Sequence, residues 1–482
     1  MVNRQSQQAL FLFALTFVLI ATVGGGVASA QTTWGPLAPA NPFLGPVGTS
    51  TMHGDAGSSD ATHLAGPSGP LAVDSLPLAA ACPTLLEGSD GMVLALCTAI
   101  LDQTPIVHLI DTSVLGSGAA ASVANLALPK GSLLGGVYAF LDNADRLVAV
   151  GGDRMLVRVG HHRTPLGTWT LTIDQSADLT AAIPNGDNVT GLVPDWQGNI
   201  WFATGDGRVG IVGGTDTVRT LQLPPGEHVA NSISSSTNGV AVATTHALYQ
   251  LSADDDAPKI DWRASYDRGS ARKPGQLSWG TGSTPTYFGP ATGADYLTIV
   301  DNADTQVALQ VYRASTGELV CAQPVLTSGG PGSENSPIGV GNSVFVASTY
   351  GYPYPRVPEA AGPAMPATAP FAGGMTRVDL DSSDCHTVWD NEVRSAAVPR
   401  LSTADGHLYT VVRQDLPLSS ATTSVLDGFE YTLIDPNTGS VLDTAQLPGS
   451  VVNDTLQTAG LITSMGEYLQ GTLSGINRVR SR

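Results

Sequence analysis

Beyond residue 81 the apolar positions fall into short runs of Val, Ile, Leu, Tyr and Thr, separated by Gly, Asp and Asn. Almost none of them follow a helical period, and such runs bounded by turn residues predict β-strands. The clearest unit is Gly191-Leu192-Val193-Pro194, the turn Asp195-Trp196-Gln197-Gly198-Asn199, the strand Ile200-Trp201-Phe202-Ala203-Thr204, and then Arg208-Val209-Gly210-Ile211-Val212. Other copies begin near Cys82, Gly135, Asn231, Thr284, Ser336, Ala396 and Ala459, spaced by roughly 40 to 60 residues.

One four-stranded sheet of this kind cannot bury both faces by itself, whereas a ring of sheets can. The pattern therefore predicts an all-β fold, a β-propeller of eight four-stranded blades over residues 81–482, with seven blades as the alternative if the Cys82 copy is irregular. The last copy, Leu461 to Val479, supplies about three strands. Its fourth is expected from the segment around Leu71 to Leu78, which would close the ring. In each blade the innermost strand descends the channel and the second returns. Turns between strands two and three thus share the top face with the segments that enter strand one.

Residues 31–80 are rich in Pro, Gly, Ala and Ser and have little periodicity, so they read as a linker or an arm lying on the body. Before them, Arg4, the apolar run Ala9 to Val23 and the small-residue site Ala28-Ser29-Ala30 predict a secretory signal over residues 1–30. The run is shorter than the roughly 20 residues of a spanning helix. The expected location is secreted or cell-envelope, without stable membrane insertion after cleavage. A formal charge of −19 repels phosphate backbones, which argues against nucleic-acid partners. Four cysteines in an exported chain point to disulfides. Cys82 and Cys97 flank the turn Glu87-Gly88-Ser89-Asp90 and are expected to pair, leaving Cys321 for Cys385.

Candidate chemistry concentrates between Tyr266 and Asn335. Asp301-Asn302-Ala303-Asp304 falls between a second and a third strand, on top, and Glu334-Asn335 immediately precedes the next inner strand on the same side. Asp301, Asn302, Asp304, Glu334 and Asn335 are the candidate metal ligands, because hard oxygen donors suit calcium. The plainer reading is that Asp and Asn cap β-turns through their own backbone. The same tetrapeptide at Asp142-Asn143-Ala144-Asp145 lies between first and second strands, on the opposite face, where it reads as turn chemistry.

Arg268, Lys273, Thr284, Thr286 and Tyr350 are the candidate ligand rim. Arg268, Arg272 and Lys273 form a basic cluster in an acidic chain, read either as an anion site or as a strap whose charges pair with nearby Asp residues. The Pro-rich insertion Gly351 to Gly373 leaves from a top turn and is a candidate cover for the channel mouth; the turn Arg413 to Glu430 is also long. No Gly-x-Ser-x-Gly, His-Glu-x-x-His or phosphate-loop motif occurs, so whether the chain is an enzyme stays open.

The motifs Tyr266-Asp267-Arg268-Gly269, Lys273-Pro274-Gly275-Gln276-Leu277-Ser278, Thr284-Pro285-Thr286, Asp301-Asn302-Ala303-Asp304, Glu334-Asn335-Ser336 and Cys385-His386-Thr387-Val388-Trp389 resemble an uncharacterised family of exported bacterial β-propeller proteins. More distantly, the blades are similar to those of quinoprotein alcohol dehydrogenases, although this chain has no adjacent cysteine pair. A looser similarity is to calcium-dependent lactonases and organophosphate hydrolases, which implies a metal near Glu334, Asn335, Asn302 and Asp301. The leading expectation is a non-catalytic exported propeller that binds a small molecule or a protein over its top face. Calcium-dependent hydrolysis of lactones or esters is the alternative, and quinoprotein-like dehydrogenation a third.

Overall fold

Eight sheets succeed one another along the chain, each with the inner, second, third and outer strand of a propeller blade. This computed structural model describes residues 34–482 except 132–137, 215, 382–383 and 416–422. The signal segment 1–30, the expected blade start at Gly135 and part of the long turn after Arg413 lie outside the described residues. The inner strands begin at Ala80, Phe140, Val189, Ser234, Thr286, Ile338, Arg400 and Leu461, so all eight repeats become blades.

Residue type follows depth in each blade. The second strand Ile200–Thr204 is buried throughout, whereas the outer strand Trp169–Asp178 is mostly exposed. Apolar side chains of adjoining blades form the walls of the ring. Leu141, Leu147 and Val159 meet Leu94, Leu96 and Val107 between blades 2 and 1, and Leu461, Leu469 and Ile476 of blade 8 meet Ala80, Leu85 and Val93 of blade 1. The ring closes as the sequence predicts. Leu71–Pro77 is the outer strand of blade 8, antiparallel to Gly475–Ser481 with Leu71 opposite Ser481 and Pro77 opposite Gly475.

Both expected disulfides form. Cys82–Cys97 joins the first and second strands of blade 1, and Cys321–Cys385 joins the outer strands of blades 5 and 6. Among the described residues no helix is long and apolar enough to cross a membrane.

The first part of the arm runs through the channel, where its polar and small residues are buried. Inner strands present an unpaired backbone edge to the channel, and buried N–H groups require partners. The arm supplies them. Thr49 O accepts from Glu87 N (3.1 Å), Ser50 O from Leu141 N (2.8 Å), Ala56 O from Ser235 N (2.7 Å), Gly57 O from Tyr287 N (2.9 Å), Ser59 O from Gly339 N (2.9 Å) and Asp60 O from Leu401 N (3.0 Å). Ala61–Thr62 then runs parallel to Leu401 and Ser402 as an extra strand of blade 7. A chain that turns within so narrow a channel needs left-handed backbone, and Ser58 and Asp60 adopt φ of 54° and 52°. The Gly, Ala and Ser content that suggested a linker is what lets the segment fit.

Candidate functional site

The channel mouth opens on a cavity of about 450 Å³. Its wall consists of segments that enter inner strands, including Asn231, Thr284, Glu334, Asn335 and Val398, and of turns between second and third strands, including Ile100 and Leu473. That is the side the repeat order assigns to the top. Met52 and His53 of the arm form the floor, and Tyr354, Pro355 and Arg356 of the Pro-rich insertion also line the cavity. The insertion therefore contributes to the cavity lining.

Of the predicted metal and rim residues, Glu334, Asn335 and Thr284 line the cavity. The Asn335 amide donates to Gln457 Oε1 at 3.1 Å, and Gln457 in turn donates to Ser395 O at 2.9 Å. Ser336 donates to Asp60 Oδ2 at 2.9 Å, and His53 Nδ1 lies 2.8 Å from the same oxygen. Thr286 is deeper in the channel, donating to Ser58 O and Pro337 O at 3.1 and 2.9 Å.

Glu334 is the unusual group. It is 9% exposed, and neither carboxyl oxygen accepts a well-formed hydrogen bond. Burial pushes its carboxyl up to about 8, only partly offset by the Leu277 N–H, the charge of Arg272 and the Asn231 side chain. A glycine makes room for it, since a Cβ at Gly282 would come within 2.4 Å of Glu334 Oε2.

The other predicted residues are committed elsewhere. Asp301 Oδ1 accepts from Ala308 N (2.8 Å) and Ala303 N (3.3 Å), while Oδ2 accepts from the Gln310 amide (2.9 Å); burial raises its carboxyl despite these bonds. The Asn302 amide donates to Arg268 O and Ala271 O, and Asp304 accepts from Ser270 N. Asn302 and Asp304 anchor the strap 265–282 while Asp301 braces the turn they belong to, and none of the three is in the cavity lining. The candidate metal ligands thus divide into a strap group and a cavity pair. Among the described residues no cluster of three or more His, Cys, Asp or Glu able to hold a metal occurs.

The strap's basic residues are also engaged, mostly with carbonyls rather than carboxylates. The Arg268 guanidinium lies 3.7 Å from the Trp279 ring centre and 2.7 Å from His246 Nε2. Lys273, 4% exposed, donates to Ala303 O and Pro331 O at 2.5 and 2.7 Å. Tyr350 is half-buried against the backbone of Gly330 and Gly332. The cavity residues that sequence reasoning missed are Met52 and His53 of the arm, Tyr138, Tyr354 and Gln457. The paired Asp55 and Asp60 beside His53 in an otherwise bland segment were the available signal.

No family model matches the chain. An uncharacterized protein of Archaeoglobus fulgidus is 34% identical over 112 residues, a match spanning 22% of this chain and 22% of that protein. Among solved structures, the quinohemoprotein alcohol dehydrogenase of Comamonas testosteroni superposes with a TM-score of 0.55 at 12% identity, covering 92% of this chain and 81% of that one. A europium-containing methanol dehydrogenase gives 0.52 at 12% identity, covering 87% and 89%. In fold, the chain is similar to the quinoprotein alcohol dehydrogenase propellers. At these identities the likeness shows the eight-bladed architecture alone.

Proposed function

We propose that the protein is an exported binding protein that holds a small organic molecule in the cavity at the top of its channel, without transforming it. The observation that carries this reading is the cavity itself. It has the size of a small-molecule site, a mostly apolar wall, a floor made by the arm and lining residues from the Pro-rich insertion. Several lining polar groups, among them Asn335, Gln457 and Ser336, are held in fixed hydrogen bonds, an arrangement suited to orienting a ligand.

Calcium is not part of this reading. Asp301 and Asp304 serve the turn and the strap, and Glu334 with Asn335 offers too few oxygens for an ion that takes six to eight. A melting temperature that rises with calcium and falls back with chelator, in the wild type but not in Asp301→Ala, would restore the ion and the hydrolase alternative with it.

The binding reading is tested by saturation-transfer NMR with a mixture of small fragments. Ala459 lines the cavity and is 5% exposed, so Ala459→Phe fills space there at a stability cost of about 1–3 kcal/mol. Fragments that bind the wild type are expected to lose their signal with Ala459→Phe while unfolding stays cooperative. Fragments that bind both proteins equally, or no binders at all, would refute a ligand site in the cavity.

A further inference from the structure

Two lining groups of this cavity have buried polar atoms without a well-formed hydrogen bond, His53 through Nε2 and the acid Glu334. Glu334 is more than nine-tenths buried, lines the cavity and accepts no well-formed hydrogen bond through either oxygen. A buried carboxyl in that position is stabilised most by a positive charge brought to it. Among the described residues no ion pair reaches it. Arg272, whose charge is felt at Glu334, is tied by its Nε to Gly362 O at 3.0 Å and by a terminal nitrogen to Gln276 O at 2.8 Å. His53 on the floor is directed to Asp60, and Arg356 is exposed at the mouth.

The remaining surroundings suit an organic cation better than a hydrated metal ion. Tyr138 and Tyr354 line the same cavity, and both phenols are pushed up by burial and by the nearby Glu334 charge, so they stay neutral. Aromatic rings beside a carboxylate are a recurring setting for ammonium groups. Met52, Leu277, Val398 and Leu456 supply apolar wall for a hydrocarbon portion. A chain with a formal charge of −19 also concentrates cations at its surface.

Building on the cavity as a binding site, we propose that its ligand is a small organic cation, an amine or quaternary ammonium whose charge pairs with Glu334. The fit can be measured by calorimetric titration of the full chain at pH 8.5 with two probes, benzyltrimethylammonium, whose charge does not titrate, and benzyl alcohol. The cation is expected to bind the wild type at least about tenfold more tightly than the alcohol. Glu334→Gln, which keeps shape and removes charge, should weaken the cation by about thirtyfold or more and leave the alcohol within about twofold.

Equal affinity of the two probes, or a cation affinity unchanged in Glu334→Gln, overturns the cation while the alcohol still reports a working cavity. Binding of neither probe to the wild type refutes the cavity as their site and the cation with it. Calcium chloride that displaces benzyltrimethylammonium and raises the melting temperature assigns Glu334 to a metal and overturns the organic ligand. Circular dichroism of Glu334→Gln confirms that the ring is intact.

Discussion

Asp60→Ala is expected to destabilise the protein by about 3–5 kcal/mol, read as a lower urea midpoint at unchanged slope. Asp60 is fully buried in the channel, where its Oδ2 meets Ser336 Oγ and His53 Nδ1 and its Oδ1 lies 3.8 Å from Arg400. Arg400, on the inner strand of blade 7, is 2% exposed and donates to Met52 O at 2.6 Å and Gly460 O at 3.0 Å. Gly54 admits that guanidinium, because a Cβ there, at φ +88°, would lie 2.6 Å from it. Removing the carboxylate leaves a buried cation without its counter-charge, and it places alanine where φ is 52°. Asp60→Asn tolerates that backbone and keeps an oxygen for Ser336, so it should lose clearly less than the alanine variant. Since Met52 and His53 are the cavity floor, Asp60→Ala should also abolish ligand binding. A loss below about 1 kcal/mol would mean that the arm is not held by this pair.

The repeat was legible because strand periodicity and turn chemistry are local properties, and blade order then assigned faces correctly. Asp142–Asp145 lies in a turn between first and second strands, where Asp142 accepts from Ala144 N and Arg146 N, while Asp301 lies in a turn between second and third. Knowing the face was not enough to know the depth. Asp301 and Glu334 both belong to the top, yet only Glu334 reaches the cavity; Asp301 turns back to bond Ala308 N and Gln310 within its own blade. That choice depends on side-chain direction, which a strand pattern does not encode. The course of the arm was not legible for a related reason. Its partners are inner-strand N–H groups supplied by most of the blades, so nothing within residues 34–62 signals burial except small size and the polar trio His53, Asp55 and Asp60.

Arg478→Met is expected to cost a similar amount, about 3–5 kcal/mol, and to do so by loosening the closure of the ring. Arg478, on the third strand of blade 8, donates to Asp74 Oδ2 of the N-terminal outer strand (2.5 and 3.1 Å), to Glu467 Oε1 (3.0 Å), and to Thr112 O and Leu115 O of blade 1 (2.7 and 2.8 Å). One side chain thus ties together the first and last parts of the described chain and the neighbouring blade. Burial pushes the Asp74 carboxyl up, but the hydrogen bonds and charges of Arg478 and Arg480 outweigh it and hold it below its ordinary value. A depressed carboxyl stabilises the fold fully above its unfolded value of about 3.9, and that contribution disappears as pH falls through the lower folded value. Wild-type stability should therefore include a part, lost as pH falls below about 3.9, that Arg478→Met lacks, visible as a smaller drop in urea midpoint over that acid range. In hydrogen exchange the amides of Leu71–Pro77 should lose protection first, ahead of blades 4 and 5 on the far side of the ring. A variant with the wild-type midpoint, or one whose blades 4 and 5 open before the 71–77 strand, would show that the closure does not depend on Arg478. The apolar seam of Leu461, Leu469 and Ile476 against blade 1, with the bonds from Ser464 N and Oγ to the Glu87 carboxylate at 2.7 and 2.8 Å, would then be what holds blades 8 and 1 together.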